Sequence, residues 1–296
     1  EIEQFANSCD IDFKFKRVDS LLYTTKSLEK KELYNEYEFR KENGFDVQFI
    51  DEENNPFEFD FAAGVLSKNG GAVIDPYLFT HSLLEESCKH GLRVFENTEA
   101  LKINYEKDYV IIETIYGYTV TCKKLIVATG YNTTLFTKRN FGTKNTTFNI
   151  ASQPIQQIND IFCKTVFRDN NDPYNYFRTT DDNRIIVGGA DIGFDNDFEN
   201  EILCSKSYSK LEQLMYRVLP NYHPRVEYKY CGAFASTQDN LGFVGVDPKR
   251  KNLWYCLGYG ANGILFAILG GKFLSKLYLG EEQEDMKLFR IDRFDN

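Results

Sequence analysis

Apolar residues along the chain fall into two spacings, one near 3.6 and one of 2, and the changes between them mark predicted helices and strands. Ile2, Phe5 and Ala6 give a short amphipathic start, and the alternation Ile11-Asp12-Phe13-Lys14-Phe15 predicts a strand. A Glu- and Lys-rich stretch from Leu28 to about Asn43 predicts a helix that Gly44 ends. Gly70-Gly71 marks a turn. Asp75-Pro76 then opens a helix through Leu78, Leu83 and Leu84, because the residue before proline is held extended and proline suits the first helical position. Gly91 closes it.

Beyond Leu92 the pattern becomes a β-meander, with strands at Arg93–Phe95, Ala100–Asn104, Tyr109–Thr114 and Tyr118–Thr121 and a turn at Gly117. Leu125–Ala128 differs. It is a continuous apolar run ending in Thr129-Gly130, as in a parallel-sheet strand buried on both faces. Further strands are predicted at Thr147–Ile150, Tyr174–Thr179, Arg184–Val187, Val226–Ala235 and Leu253–Leu257, with a helix from about Lys206 to Leu219 stopped by Pro220. Helix-strand alternation and antiparallel stretches are interleaved, which predicts a mixed α/β and α+β chain visiting two domains alternately.

Composition narrows the function. Of 296 residues, 42% are hydrophobic and 15% aromatic, enough for an extensive core. A net charge of −9 argues against a nucleic-acid partner and for a small molecule. Seven cysteines without a C-x-x-C pair, an odd number, fit a reducing, cytoplasmic compartment. The histidines His81, His90 and His223 lack zinc-ligand spacing, so no metal is expected. The apolar stretch Ile264–Leu274 contains Lys272 and is shorter than the roughly 20 residues of a membrane span.

The most informative string is Gly258-Tyr259-Gly260-Ala261-Asn262-Gly263, a G-x-G-x-x-G placed between the apolar runs Leu253–Leu257 and Ile264–Leu269. Strand, glycine turn and helix in that order form a site for a polarised or anionic group, since glycines allow close approach and the helix start offers free N–H groups. A dinucleotide fingerprint requires a complete βαβ unit after it, roughly 30 residues or more, and none follows here. The string is therefore either an accidental packing turn or a different helix-terminus site.

Four passages together resemble the flavin-dependent amine and amino-acid oxidoreductases that include D-amino-acid oxidase, glycine oxidase and sarcosine oxidase. They are Gly70-Gly71-Ala72-Val73-Ile74-Asp75-Pro76-Tyr77, Leu125–Gly130, Phe177–Asp191 with its Gly188-Gly189 pair, and Gly232 through Asp239 to Gly245 followed by the glycine turn. The resemblance implies an FAD-binding doubly wound domain interleaved with an antiparallel-sheet substrate domain. The substrate or cap domain would take residues 1–71 and 135–235, and the FAD-binding domain 72–134 and 236–296. The family's N-terminal βαβ fingerprint is not matched, so the resemblance implies a truncated FAD domain, a fragment that binds FAD weakly or not at all and is itself inactive.

What the resemblance implies about residues follows the same strings. Gly258, Gly260, Ala261, Asn262, Gly263 and Ile264 would lie beside the flavin ring, with the amides of Gly260 through Ile264 as donors. Ala128, Thr129 and Gly130 would form a strand end close to the dinucleotide, and Ala100 would meet the adenine through its backbone. The reaction implied is oxidation of the CH–NH bond of an amine or amino acid by hydride transfer to flavin N5, with no catalytic side chain assigned. Amino-acid-oxidising members carry an arginine two residues after the glycine matching Gly232, and this chain has Phe234 there. Phe234, Arg178, Tyr176 and Tyr259 are therefore substrate-pocket candidates, with Arg178 the substitute cation. A covalent flavin link at Cys231 is disfavoured, because the matching position is Gly232. A flavin dehydrogenase acting on a hydroxy acid and a non-catalytic binding module remain alternatives.

Overall fold

The structure, a computed structural model, describes residues 1–194, 201–260, 262–281 and 283–295. In chain order the elements are α1 (Ile2–Ser8), β1 (Lys16–Thr24), α2 (Lys30–Glu42), β2 (Val47–Asp51), β3 (Ala63–Val73), α3 (Pro76–Lys89), β4 (Ala100–Tyr105), β5 (Val110–Thr114) and β6 (Thr119–Cys122). They continue with β7 (Leu125–Val127), β8 (Thr143–Ser152), α4 (Asp160–Cys163), β9 (Thr165–Asp169), β10 (Tyr176–Thr179), β11 (Ile185–Gly193), α5 (Glu201–Val218), β12 (Val226–Ser236), β13 (Phe243–Asp247), β14 (Arg250–Leu257) and α6 (Gly263–Tyr278). The fold is mixed α/β, in two compact units: residues 1–94 with 147–232, and residues 95–146 with 233–296.

The first unit is built on an eight-stranded sheet in the order β12-β8-β11-β10-β9-β1-β3-β2. One face carries an aromatic core. Tyr23, Phe148, Phe167 and Phe177 project from the strands to meet Phe57, Phe59 and Phe61 of the loop before β3 and Leu211, Leu214 and Met215 of α5. The Phe167 and Phe177 rings stack 4.2 Å apart at 7°. On the opposite face α2 covers β2 and β3, where Leu33 packs with Ala63 and Val65. Toward β8, β11 and β10 that second face carries polar side chains instead.

Two local devices shape this unit. Asp75 caps α3 by accepting from the Leu78 N–H (2.9 Å), with Pro76 in the first turn, and the left-handed Gly91 (φ 97°) follows the helix. The helix is anchored by Phe79 against Phe13 and Phe5, within the first compact unit. The chain crosses between the two compact units at 94/95, 146/147 and 232/233.

Gly70-Gly71 is no turn but lies inside β3, at an irregularity where Val18 pairs with Gly71 and Ser20 with Ser67. Asp19 holds the extra β3 residues by accepting from the Asn69 N–H and from Lys68 Nζ. The alternation at 11–15 stays outside any strand, its Phe13 spent on the aromatic contact with α3. Arg93–Phe95 is irregular too, and Phe95 is exposed.

The second unit holds two three-stranded sheets, β13-β14-β7 and the antiparallel meander β4-β5-β6. β14 pairs antiparallel with β13 and parallel with β7, Leu253 opposite Leu125 and Tyr255 opposite Val127. The parallel strand expected from the apolar run is present, but it is buried on one face only: Val127 is 1% exposed and Ile126 48%. Phe141, Phe243, Leu253, Tyr255 and Tyr259 form a core on one side of this sheet, and α6 packs Phe273 and Leu274 against Val244 and Trp254 on the other. Among the described residues no helix is long and apolar enough to cross a membrane.

Candidate functional site

Parallel pairing of β7 with β14 fixes the geometry of the second unit's candidate site, because parallel strands end on the same side. Ala128-Thr129-Gly130 follows β7 and Gly258–Gly263 follows β14, so two strings far apart in sequence meet at one sheet end. In open α/β sheets, ligands bind in the crevice beyond the carboxyl ends of such strands. Ala128, Thr129 and Gly130 are exposed there. Gly130 is left-handed (φ 60°) with open space around it, and Thr129 Oγ1 closes the turn by donating to the Asn132 carbonyl at 2.6 Å.

The glycines after β14 serve different ends. A Cβ at Gly258 would lie 2.8 Å from the Gly263 carbonyl oxygen, so this glycine lets the turn fold back on the start of α6. Gly260 is left-handed (φ 76°), and its N–H donates to the Ala235 carbonyl at 2.7 Å. That amide is therefore spent within the protein and is not a free donor, a correction to the set expected from sequence. Asn262 occupies the N-cap position of α6 without a side-chain hydrogen bond into the helix. The Phe266 N–H donates to the Asn262 carbonyl, and among the described residues the amides of Gly263, Ile264 and Leu265 find no backbone acceptor. With Ile264 and Leu265 half-exposed, the helix start presents donors and a positive dipole end. Ala261 lies outside the described residues. Ala100 opens β4 in the other sheet, paired with Thr114, and does not join the strand-end group.

Tyr259 is a core residue rather than a pocket wall. It is 3% exposed, its ring packs against Tyr131 (5.1 Å) and Phe243 (5.9 Å), and burial pushes its phenol up to about 12. The turn after β14 reverses the chain, which drives the side chain at 259 under the sheet while the flanking glycines stay outside. Phe234 is half-buried on β12, next to the core residue Ala235. Arg293, which drew no notice in the sequence, clasps the loop between β12 and β13. Its guanidinium donates to both Asp239 oxygens (2.8 and 3.0 Å) and to the Leu241 carbonyl, and it lies 3.8 Å over the Phe243 ring. Hydrogen bonding from Arg293 brings the Asp239 carboxyl down to about 2.

In the first unit the polar sheet face collects a second group. Phe177 points into the core, so Tyr176 and Arg178 on either side of it point the other way. The Tyr176 hydroxyl donates to Asn149 Oδ1 (3.0 Å) on β8, across β11 at Gly188, where any Cβ would collide with the Tyr176 ring and with Asn149. This contact explains Gly188, whereas at Gly189 (φ 124°) a Cβ would meet the Tyr174 carbonyl oxygen at 2.8 Å. Burial, with the neighbouring Tyr230, Tyr174 and Asp191, pushes the Tyr176 phenol up to about 12. Arg178 stands apart from Tyr176, donating to the Thr179 carbonyl and lining a hollow of about 90 Å³ with Lys16, Asp181 and Asn183.

Thr147, Asn149 and Asp191 complete this face and were missed from sequence. Phe148 and Ile150 point into the core, so Asn149 and Thr147 do not; Ala190 and Ile192 pack on the core, so Asp191 faces away. Alternation carried on from the core residues Ile185 and Val187 would have placed Asp191 in the core, but the left-handed residues Gly189 and Ala190 shift the phase by one residue and turn it to the other face. Cys231 packs against the core instead of this face.

Known proteins match the chain over most of its length. The glycine oxidase of Bacillus subtilis (strain 168) is 24% identical over 224 residues, 74% of this chain and 58% of that protein. A monomeric sarcosine oxidase of Arthrobacter sp. is 23% identical over 248 residues, 77% of this chain and 61% of that protein. The chain thus spans less than two thirds of these relatives. The crystal structure of glycine oxidase from Geobacillus kaustophilus superposes with a TM-score of 0.83 at 19% identity, over 99% of this chain and 79% of that one, which establishes a shared fold. The profile described as FAD dependent oxidoreductase (DAO) matches residues 1–277, and the chain belongs to that family.

Proposed function

We propose that the protein carrying this chain oxidises the CH–NH bond of an amine or amino acid, with the second unit holding the flavin end of FAD and the first unit meeting the substrate. One observation carries the reading: β7 and β14 end together, with Ala128–Gly130 beside a glycine turn whose helix has no side-chain cap. The residues fit the group. Gly258 keeps the turn narrow, Gly130 leaves room beside it, and the amides of Gly263, Ile264 and Leu265 at the start of α6 would hold an electron-rich carbonyl edge. Bound FAD would supply the two-electron acceptor for a hydride leaving the carbon next to nitrogen.

The chain's own residues then have positioning tasks. Tyr176, braced by Asn149 and kept protonated by its raised pKa, offers a fixed polar contact for substrate. Its sheet face is rigid because the opposite face is the aromatic core. No acid-base pair is required of this chain, since the amine reacts with its lone pair free and aligned. The names of the matched relatives, glycine oxidase and sarcosine oxidase among them, support an amine or amino-acid substrate.

The test is to purify the full-length protein, measure its flavin absorbance, and add amines, amino acids and 2-hydroxy acids anaerobically. Bleaching by amino compounds supports the reading. A colourless protein that takes up no FAD, or bleaching by hydroxy acids alone, overturns it.

A further inference from the structure

Asp191 is a carboxyl group on the polar sheet face to which the proposed reaction gives no task. It sits on β11 between Ala190 and Ile192, both packed against the core, so its side chain lies on the face that carries Tyr176. The carboxyl group is half-buried, and its Oδ1 is closed to solvent with no hydrogen-bond partner. Desolvation dominates its environment and pushes its pKa up, opposed by the Thr147 hydroxyl alone, with no cation contributing. It is close enough to Tyr176 for its charge to act on that phenol. A buried carboxylate oxygen lacking a donor costs roughly 1–3 kcal/mol or more, and a cationic ligand removes that cost by forming a charge-assisted hydrogen bond.

We infer that Asp191 is a specificity-determining residue that selects substrates carrying a positively charged nitrogen remote from the bond being oxidised, such as diamines or amines with a basic side chain. The inference rests on the reading of an amine as substrate and names its class. The reacting nitrogen itself is a poor partner for Asp191, because a carboxylate within about 4–6 Å favours the protonated amine and so withholds the lone pair. A second ammonium has no such conflict.

A charge series of constant length tests this. Dissociation constants of 1,4-diaminobutane, butylamine and 4-aminobutanoate are measured by calorimetry on the full-length flavoprotein, wild type and Asp191→Asn. The wild type should bind the diamine about tenfold or more tighter than butylamine, and 4-aminobutanoate weakest of the three. In Asp191→Asn the ratio between diamine and butylamine should fall to within about threefold. Equal affinities in the wild type, or an undiminished preference in the variant, overturn the assignment. The wild-type comparison decides the matter even if the variant does not fold. Flavin bleaching by the same compounds is scored separately, so a protein that prefers the diamine but is not reduced by any amine refutes the oxidoreductase reading and not the cation subsite.

Discussion

Replacing Gly258 with alanine separates two reasons for glycine within one turn. The added Cβ would stand 2.8 Å from the Gly263 carbonyl oxygen, 3.2 Å from Gly263 Cα and 3.3 Å from Phe266 Cβ, and all but the last are backbone atoms that no rotamer change can move. Restoring ordinary contact requires the turn and the start of α6 to part by about 0.5 Å, an overpacking cost of about 1–3 kcal/mol. Gly260 is different. Its Cβ would meet nothing nearer than the Asn240 carbonyl oxygen at 3.8 Å, so Gly260→Ala is penalised only by its φ of 76°, about 1–2 kcal/mol. Asparagine tolerates that conformation, and Gly260→Asn should recover part of the loss. Urea denaturation followed by fluorescence reads the right unit, because Trp254, the chain's single tryptophan, lies on β14 and is 4% exposed. FAD affinity should fall more in Gly258→Ala than in Gly260→Ala, since only the former moves the first amides of α6. A Gly258→Ala protein within about 0.5 kcal/mol of wild type, or a Gly260→Asn no better than alanine, would refute the division of roles.

Three other outcomes are expected. Asp239 has a folded pKa of about 2 against an unfolded value of 3.8, so its pairing with Arg293 stabilises the protein above pH 3.8 and is lost as pH falls through 2. Asp239→Asn should cost about 1–2 kcal/mol at neutral pH after allowance for solvent screening, and the deficit should vanish in acid melts near pH 2. Phe177→Ala removes a ring that is 1% exposed and stacked on Phe167, and should lower unfolding free energy by about 3–5 kcal/mol in chemical denaturation. Gly188→Ala should break the Tyr176–Asn149 hydrogen bond by displacing the ring, weakening amine binding about tenfold while far-ultraviolet circular dichroism stays that of the wild type.

Much of this was legible in the sequence because local signals and tertiary demands agreed. Gly44 and Gly91 do end helices, Pro76 starts one, and Leu125–Val127 is a parallel strand beside β14. What failed did so where one local signal had two physical causes. A glycine pair reads as a turn, yet Gly70-Gly71 allows β3 an irregularity beside β1, and Gly188 admits a tyrosine ring. Phe57, Phe59 and Phe61 alternate like a strand but fill the core from a loop. The candidate site shows the same limit. The glycine turn announced itself by pattern, whereas Asp191 and Arg293 acquire meaning only from partners distant in sequence, Thr147 for one and Asp239 for the other.

The alternation of the chain between its two units has a consequence for synthesis. β1 pairs in parallel with β9, Asp19 opposite Thr165, and β7 with β14, Leu125 opposite Leu253. At about 5–20 residues per second, each first strand waits on the order of 10–30 s after leaving the ribosome before its partner emerges. Throughout that interval Leu21, Tyr23 and Val127, all at most 1% exposed in the folded protein, belong to strands whose parallel partners do not yet exist. Neither unit can complete its sheet until the last third of these 296 residues has been translated, so these strands stay unpaired longer than those of a chain whose domains are contiguous. A single cut at any of the crossings, 94/95, 146/147 or 232/233, would yield pieces that each lack part of a unit, which excludes expressing the halves as independent domains.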